Sequence, residues 1–258
     1  MASPLTIKLD GQAITVNAVP LNQAAFAPFG DVIENPRPDL HPSTAGASSA
    51  LPSNAVVANQ GSAIKYQHVS RMRNLYEQAP SGQPGAAIMS MFVCAARQLR
   101  GSEPERAETF SVEVLERHPY TTQTFIPLTG DASKRYLVIV APSLPPSMAD
   151  QDLPTPDATG LPGRGLPDLR GLRAFVATAQ QAVTYGAGTW HAPMVALGPR
   201  GTAIDFVVVQ FANGVGVEDC QEVYFTPSSS SPSEKRTAGG GVVVNVPAQE
   251  PVPRVIKL

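Results

Sequence analysis

The sequence has no marked excess of either charge and no block of basic residues. Its 258 residues include 19 Lys or Arg and 21 Asp or Glu, which gives a formal net charge of −2 at pH 7. Proteins that bind nucleic acid gain much of their affinity from clustered Lys and Arg, which release counterions from the phosphates. We therefore expect no nucleic-acid partner.

Cysteine is nearly absent. Cys94 and Cys220 lie far apart in the sequence and form no C-x-x-C pair. This spacing argues against a disulfide framework, a structural zinc knuckle and a thioredoxin-type redox pair. Both cysteines are expected to be small buried hydrophobic residues.

Long apolar runs are missing as well. No window approaches the roughly 18 uninterrupted apolar residues that a membrane span requires, and the first ten residues lack the basic-then-apolar order of a secretory signal. We expect an intracellular, cytoplasmic protein with no membrane partner. The sequence ends in Ile256, Lys257 and Leu258, which keeps the last two residues of the Ser-Lys-Leu peroxisomal signal and makes the peroxisome an alternative location.

Apolar residues, proline and glycine are abundant. Hydrophobic residues make up 43% of the chain, and the 26 prolines and 21 glycines favour short strands and loops over long helices. Apolar runs bounded by Gly and Pro, without βαβ alternation, predict one all-β domain over residues 1–258. We expect a cupin-like antiparallel β-barrel or sandwich with a few short helices. The predicted strands cover residues 88–95, 109–118, 123–128, 135–141, 172–177, 190–197, 204–211 and 222–225.

Other segments have a different composition. A short helix is predicted after Asn22, a residue type that caps helices. Residues 142–168 are rich in proline and are interpreted as an insertion, and residues 226–241 have the Ser and Gly content of a linker before a C-terminal tail. Residues 242–246 predict one more strand, at the edge of a sheet in this molecule or in a neighbouring one.

The predicted strand 109–118 carries polar groups near its end. Side chains alternate between the faces of a strand, so Val112, Val114, Glu116 and His118 are predicted to share one face. The two valines mark it as the face that points into the domain. Buried polar groups cost free energy unless they find partners, so Glu116 and His118 indicate a functional site.

The same residues begin a pattern that resembles the first cupin motif, H-x-H-x(3,4)-E-x(6)-G. Glu116 stands in place of the first His, His118 matches the second, and Gln123 stands in place of the Glu. Gly130 completes the pattern at the expected distance.

A later segment resembles the second cupin motif, P-x-G-x-x-H. Gly186 stands in place of the Pro, while Gly188 and His191 keep the register. Two partial matches in this order imply a cupin-like fold with both histidines at one site. If a divalent metal is bound, the resemblance implies four ligands, of which the amide is the weakest. They are Glu116, His118, Gln123 and His191.

Longer stretches of the sequence resemble the ureidoglycolate lyase family. The order and approximate spacing of these stretches agree from about Leu21 to Phe225. The proline-rich segment and the residues after Phe225 lie outside the compact form of the family. The matching stretches are Ala-Phe-Ala-Pro-Phe-Gly-Asp-Val-Ile at 25–33, Glu-Arg-His-Pro and Thr-Gln-Thr-Phe-Ile-Pro-Leu within 116–128, Leu-Arg-Ala-Phe at 172–175, and Val-Thr-Tyr with Gly-x-Trp-His-x-Pro within 183–193.

This resemblance implies a homodimeric enzyme that cleaves (S)-ureidoglycolate to glyoxylate and urea in allantoin and purine breakdown. The reaction needs a base for the carbinol hydroxyl and an acid for the departing urea nitrogen, and it requires no redox cofactor. His118 and His191 are the candidate pair, because imidazole titrates near neutral pH. Glu116 would be the base if burial raises its pKa, or would orient an imidazole. Gln123 would hydrogen-bond the ureido group.

The carboxylate of such a substrate needs a cation or backbone amides. Lys65, where the family suggests a basic residue before Tyr, Tyr185 and the amides around Gly188 are the candidates, and the sequence leaves the choice open. Trp190, the only tryptophan, is interpreted as a pocket wall or a core side chain. Arg117, on the outward face of its predicted strand, is interpreted as solvated or as a dimer contact.

Other functions stay open on the sequence alone. An amidohydrolase acting on the same substrate would release ammonia and carbon dioxide instead of urea. A metal-dependent cupin oxygenase or isomerase would carry a stoichiometric transition metal and lose activity on chelation. A non-catalytic cupin-like protein would bind a small ligand without turnover.

Overall fold

The computed structural model describes residues 5–9, 11, 13–45, 51–101, 108–157, 159–226 and 241–248. Most of the regular structure in these residues is strand, which confirms the all-β prediction. The strands are β1 (Leu5–Lys8), β2 (Ile14–Asn17), β3 (Val19–Pro20), β4 (Gly30–Ile33), β5 (Ala55–Ala58), β6 (Ala63–Tyr66), β7 (Ala86–Ala95), β8 (Glu108–Val112), β9 (Val114–Arg117), β10 (Gln123–Pro127), β11 (Arg135–Ala141), β12 (Arg173–Thr178), β13 (Ala182–Tyr185), β14 (Trp190–His191), β15 (Val195–Leu197), β16 (Ala203–Ala212), β17 (Gln221–Thr226) and β18 (Val242–Val246).

The helices are short. The side chain of Asn22 accepts a hydrogen bond from the Ala25 amide and so caps the first helix, as predicted. Within the described ranges, no helix is long and apolar enough to cross a membrane. The α-helices are α1 (Gln23–Phe26), α2 (Pro42–Ala45) and α3 (Gly216–Asp219), and 3₁₀ turns cover Asn59–Gly61, Tyr76–Gln78, Met148–Asp150 and Leu169–Gly171.

The strands form stacked sheets that do not join into a closed barrel in the described part of the chain. The large sheet has the order β1-β17-β9-β14-β11-β12-β3, with β15 also paired to β11. A five-stranded sheet has the order β4-β13-β10-β16-β7, a three-stranded sheet the order β2-β18-β8, and β5 pairs with β6. Most pairs are antiparallel, whereas β1 with β17, β3 with β12 and β2 with β18 are parallel. The fold is therefore a cupin-like sandwich.

The large sheet is covered on both faces, so that one large core lies on each side of it in the described part of the chain. Tyr136, Val138 and Val140 of β11 belong to a core shared with the five-stranded sheet, which we call the first core. Leu137 and Ile139 point to the opposite face, into the second core, which includes residues of the three-stranded sheet. A strand that is buried on both faces has a continuous apolar sequence, as residues 136–141 of β11 do.

The last described strand lies in the middle of its sheet, so the prediction of an edge strand is wrong for β18. It pairs with β2 on one side and β8 on the other. Val242, Val244 and Val246 alternate into the second core, and this burial holds the strand between its neighbours. Residues 227–240 of the predicted linker, and Ile256, Lys257 and Leu258, lie outside the described residues.

The predicted strand 109–118 is two strands, because the chain changes sheets at Glu113. β8 pairs with β18 in the three-stranded sheet, and β9 pairs with β17 and β14 in the large sheet. The extra residue shifts the alternation, so Val112 and Leu115 both belong to the second core. Glu116 therefore faces away from Val112, and the prediction that these two share one face is wrong.

Arg117 is fully buried, so the prediction that it is solvated or in a dimer contact is wrong. It follows Leu115 by two positions and faces the second core, where its guanidinium carbon lies 4.4 Å from the centre of the Trp190 ring. Burial lowers the pKa of Arg117 to about 10. The guanidinium consequently keeps its charge at neutral pH inside the protein.

Gly30 starts β4 at a point where the backbone of β4 closely approaches that of β13. Its φ is +152°, and a Cβ there would lie 1.9 Å from the carbonyl oxygen of Thr184. We expect Gly30→Ala to lower the free energy of unfolding by about 2–3 kcal/mol, measured by urea denaturation. Gly130→Ala is the matched control, because a Cβ at Gly130 meets nothing within 4 Å. Equal stability of the two variants would contradict this close approach.

Candidate active site

Four predicted site residues meet between the large sheet and the five-stranded sheet. Glu116 and His191 are paired neighbours on β9 and β14, His118 follows the end of β9, and Gln123 starts β10. The centres of the two imidazole rings are 5.5 Å apart. His118, Gln123 and His191 are each less than 10% exposed, and the Glu116 side chain is 18% exposed. The arrangement is a sheltered polar cluster with one partly open side.

Backbone carbonyls fix the tautomer of both histidines. The Nδ1 atom of His118 lies 2.6 Å from the carbonyl oxygen of Asp219, and Nδ1 of His191 lies 2.9 Å from that of Thr189. A carbonyl oxygen only accepts hydrogen bonds, so each Nδ1 carries a proton. The Nε2 atoms are left to face the cluster, as in many histidines that bind metals or transfer protons.

The atoms around His191 favour a positive charge on its imidazole ring. Its Nε2 lies 3.2 Å from Oε1 of Gln123 and 3.5 Å from Oε1 of Glu116. Both oxygens accept hydrogen bonds, so an unprotonated Nε2 would face two acceptors without a donor between them. A second proton on His191 satisfies the contacts, because the imidazolium then donates at both ring nitrogens.

The surroundings of His118, in contrast, favour a neutral imidazole ring. Its Nε2 is buried and has no hydrogen-bond partner among the described residues. Burial, together with the charge of His191, lowers the pKa of His118 to about 4, against weaker opposing effects of Glu116 and the Asp219 carbonyl. His118 therefore offers an unshared lone pair at neutral pH.

Glu116 stays ionised. Burial tends to raise its pKa, but the hydrogen bond and charge of His191, helped by His118 and a contact with Cys220, outweigh burial and lower the pKa. The thiol of Cys220 lies 3.9 Å from Oε2 of Glu116, and burial raises the pKa of this thiol to about 12. The net pKa of Glu116 is lowered, so the condition under which Glu116 would act as the base is not met, and its carboxylate instead balances the charge of the imidazoles.

Two further side chains complete the cluster. The ring of Tyr185, a predicted site residue, stacks on His191 at 3.9 Å and 13°. Gln210 was missed; it accepts a hydrogen bond of 2.6 Å from Nε2 of Gln123. Its signal was present in the sequence, because Phe206, Val208 and Gln210 alternate along β16 and a polar residue at an inward position stands out.

The other three predicted binding residues lie elsewhere. Trp190 points into the second core, so its reading as a core side chain is supported and its role as a substrate contact is not. The amide of Gly188 donates to the carbonyl of His118, so it is not available to a carboxylate. Lys65 is exposed on β6, and no hydrogen bond or ion pair among the described residues joins it to the cluster.

The cluster has the donor set of a metal site. Glu116, His118 and His191 each offer a ligand atom, and these atoms lie within 4.8 Å of one another. Both histidines already donate Nδ1–H to carbonyls, the orientation usual for metal ligands. The unpartnered Nε2 of His118 also fits a divalent cation, which would supply the positive charge in place of the proton on His191.

Fold and site together define a class of protein: a cupin-like β-sandwich with two imidazoles, a carboxylate and amides gathered between its sheets. Residues 13–231 match the sequence model of a family described as ureidoglycolate lyase. The chain belongs to this family, as its motifs indicated.

Relatives from fungi and bacteria carry the name ureidoglycolate lyase. The protein of Schizosaccharomyces pombe is 34% identical over 224 residues, which is 86% of this chain and 96% of the relative. That of Saccharomyces cerevisiae is 32% identical over 223 residues, 83% of this chain and 95% of the relative. A protein of Pseudomonas aeruginosa is 33% identical over 213 residues, 82% of this chain and 91% of the relative. The similarity therefore spans almost the whole length of each relative.

The burial of His118 predicts a pH-dependent stability. The folded chain keeps His118 neutral down to about pH 4, while the unfolded chain protonates it near pH 6.5. Unfolding then takes up a proton between these values, so acid favours the unfolded chain. In chelator-treated protein we expect the free energy of unfolding to fall by up to about 3 kcal/mol as the pH drops through this window.

Urea titrations at several pH values test this slope. His118→Asn removes the titrating ring and keeps an N–H for the Asp219 carbonyl, so a flatter dependence on pH is expected. His41→Asn, which changes an exposed histidine, should keep the wild-type slope. A wild-type slope in His118→Asn would show that His118 titrates normally.

Proposed function

We propose that this protein is a lyase that cleaves (S)-ureidoglycolate to glyoxylate and urea. Family membership supports the substrate. One observation carries the chemistry: two imidazoles of fixed tautomer lie 5.5 Å apart, one with an open Nε2 and one with its Nε2 against a carboxylate. A reaction that removes one proton and delivers another needs such a pair.

His118 is the proposed base. Its Nε2 takes the proton of the carbinol hydroxyl, and the oxygen electrons form the aldehyde as the C–N bond breaks. His191 is the proposed acid, and its Nε2 proton goes to the urea nitrogen that receives the bond electrons. The carboxylate of Glu116 stabilises the imidazolium on either ring, so net charge in the site stays constant through the step.

The amides are the proposed binding groups for the ureido end. Gln123 and Gln210 are already hydrogen-bonded to each other, which holds both side chains at the site before substrate arrives. Carboxamides offer donors and acceptors that match those of urea. The stacked ring of Tyr185 forms a flat wall behind His191 and prevents its imidazole from rotating.

We also propose that this site can bind a divalent metal, although the proton transfers described above do not require one. Glu116, His118 and His191 would hold it, with Gln123 as a weaker fourth ligand. When bound, it would polarise an oxygen of the substrate as a Lewis acid. The same observation keeps a metal-dependent cupin enzyme as the second candidate function.

Incubation with racemic ureidoglycolate tests the proposal. We expect glyoxylate and urea in equal amounts, with one enantiomer consumed. His118→Asn and His191→Asn should each lose at least about 10²-fold in kcat/KM, because each removes one proton-transfer group. His41→Asn is the control and should keep the wild-type rate.

The products and a chelator separate the alternatives. Ammonia in place of urea would contradict the lyase and indicate an amidohydrolase. Complete loss of activity after chelation, restored by one transition metal, would favour the metal-dependent enzyme. Unaltered rates in both histidine variants would contradict the site, and binding without turnover would leave a ligand-binding protein.

We also propose that the enzyme is a homodimer that associates through β7. This ten-residue strand ends the five-stranded sheet, so one of its edges is unpaired in the described chain. Met89, Met91 and Val93 are 77%, 56% and 71% exposed. Soluble monomers seldom leave a long apolar edge in water, and two copies can pair such edges around a twofold axis.

Met89→Asp is expected to shift the protein from dimer to monomer, because it would bury two carboxylates in the interface. Light scattering after size exclusion measures the mass. Met148→Asp changes a methionine that is 79% exposed in another segment, and it should remain dimeric. A monomeric wild-type protein, or a dimeric Met89→Asp variant, would contradict the proposed interface.

We propose an intracellular location. Both cysteines are free thiols, as is usual in a reducing compartment. Microscopy of a fluorescent fusion distinguishes the cytoplasm from the peroxisome.

A further inference from the structure

The two residues that neighbour the histidines pack together behind the site. Arg117 precedes His118 and Trp190 precedes His191, and both side chains are fully buried on the face opposite the histidine cluster. The guanidinium lies 4.4 Å from the centre of the indole ring. A cation held over an aromatic face and away from water gains more than an exposed one.

These side chains also bind the proline-rich segment. Arg117 donates to three consecutive carbonyls, those of Gly163, Arg164 and Gly165, at 3.1, 2.9 and 3.2 Å. The indole N–H of Trp190 donates to the same Gly165 oxygen at 3.0 Å. The carbonyl of Gly165 therefore joins β9, which ends just before His118, to β14, which contains His191.

Gln221 extends the connection to a third strand. It accepts a hydrogen bond of 2.8 Å from Nε of Arg117 and donates one of 2.7 Å to the carbonyl of Pro154. Arg117, Trp190 and Gln221 come from β9, β14 and β17, which are adjacent in the large sheet. We call residues 163–165 together with Pro154 the strut.

The hydrogen bonds of Arg117 hold the strut in one position. A buried guanidinium is costly unless its N–H groups are satisfied, and Arg117 meets that need largely with strut carbonyls. Gly165 has no room for a side chain, since a Cβ there would lie 1.7 Å from the carbonyl oxygen of Leu144. The strut therefore occupies one defined position against the sheet.

We propose that Arg117 is a positioning residue that uses the strut to hold His118 and His191 at their catalytic separation. This inference rests on the proposed function. Only one peptide bond separates each strut-bound residue from its histidine, so release of the strut shifts both imidazoles. A displacement of about 1 Å in a proton-transfer pair is enough to cost about 10²-fold in rate. The proline-rich segment is then part of the catalytic apparatus.

Arg117→Met tests this role, because it keeps the length and packing of the side chain and removes its donors. We expect kcat to fall about 10- to 100-fold with KM changed less than about 3-fold, and the pH profile of kcat to shift. Leu115→Ala is the matched control, since Leu115 is fully buried two positions earlier on the same face of β9. At temperatures where both variants are folded, Leu115→Ala should keep the wild-type pH profile.

Two measurements do not depend on turnover. NMR of the four histidine rings should show displaced His118 and His191 signals in Arg117→Met and unchanged ones in Leu115→Ala. Trp190 is the only tryptophan, so its fluorescence reports directly on the strut contact. Absence of ureidoglycolate cleavage by the wild-type protein would contradict the proposed function, while these signals would still decide the role of the strut.

Gly165→Ala perturbs the same contact from the strut side and keeps the test decisive if Arg117→Met does not fold. It should reproduce the loss of kcat, the pH shift and the fluorescence change. Wild-type kcat, pH profile and histidine signals in either folded variant would overturn the proposal. The same changes in Leu115→Ala would also overturn it, because they would reflect general destabilisation.

Discussion

The site depends on one electrostatic constraint. Several hydrogen-bond acceptor atoms face the same small space, and a positive charge between them is needed to offset their repulsion. Backbone carbonyls of Asp219 and Thr189 take the Nδ1 protons of the histidines, so both Nε2 atoms face inward. The oxygens of Glu116 and Gln123 face the same space. A proton on His191 or a divalent cation supplies the missing charge. The backbone thereby directs both Nε2 atoms into the site, and the oxygens of Glu116 and Gln123, which lie beside His191 only, distinguish the imidazole that donates from the one that accepts.

The large sheet carries different groups on its two faces. Toward the first core, the ends of β9 and β14 present the polar cluster with Tyr185 stacked behind His191. Toward the second core, the same strands present Arg117 and Trp190, bound to the proline-rich segment. This division follows from strand alternation, since adjacent residues point to opposite faces. Arg117 and Trp190, held on one face of the sheet, are therefore each one peptide bond away from a histidine of the polar cluster on the other face.

Much of the fold was predictable because its central strands are strongly apolar. Each of the eight predicted runs contains strand, and residues 135–141 form β11 as predicted. Weaker strands such as β4, β5 and β13 were missed, since their short sequences gain their structure from pairing with neighbours rather than from local propensity. The change of sheet at Glu113 was also missed, because the sequence shows unbroken alternation there and only the separate partners of β8 and β9 divide it.

The sequence by itself determined the all-β class and the four residues of the cluster, because both are visible in the types of residue and in their spacing along the chain. The two motifs predicted that Glu116, His118, Gln123 and His191 lie at one site. Only the tertiary structure decided the ionisation of Glu116, the burial of Arg117 and the core position of Trp190, since these depend on neighbours from distant segments. Charge and burial are properties of an environment, and an environment exists only once the chain is folded.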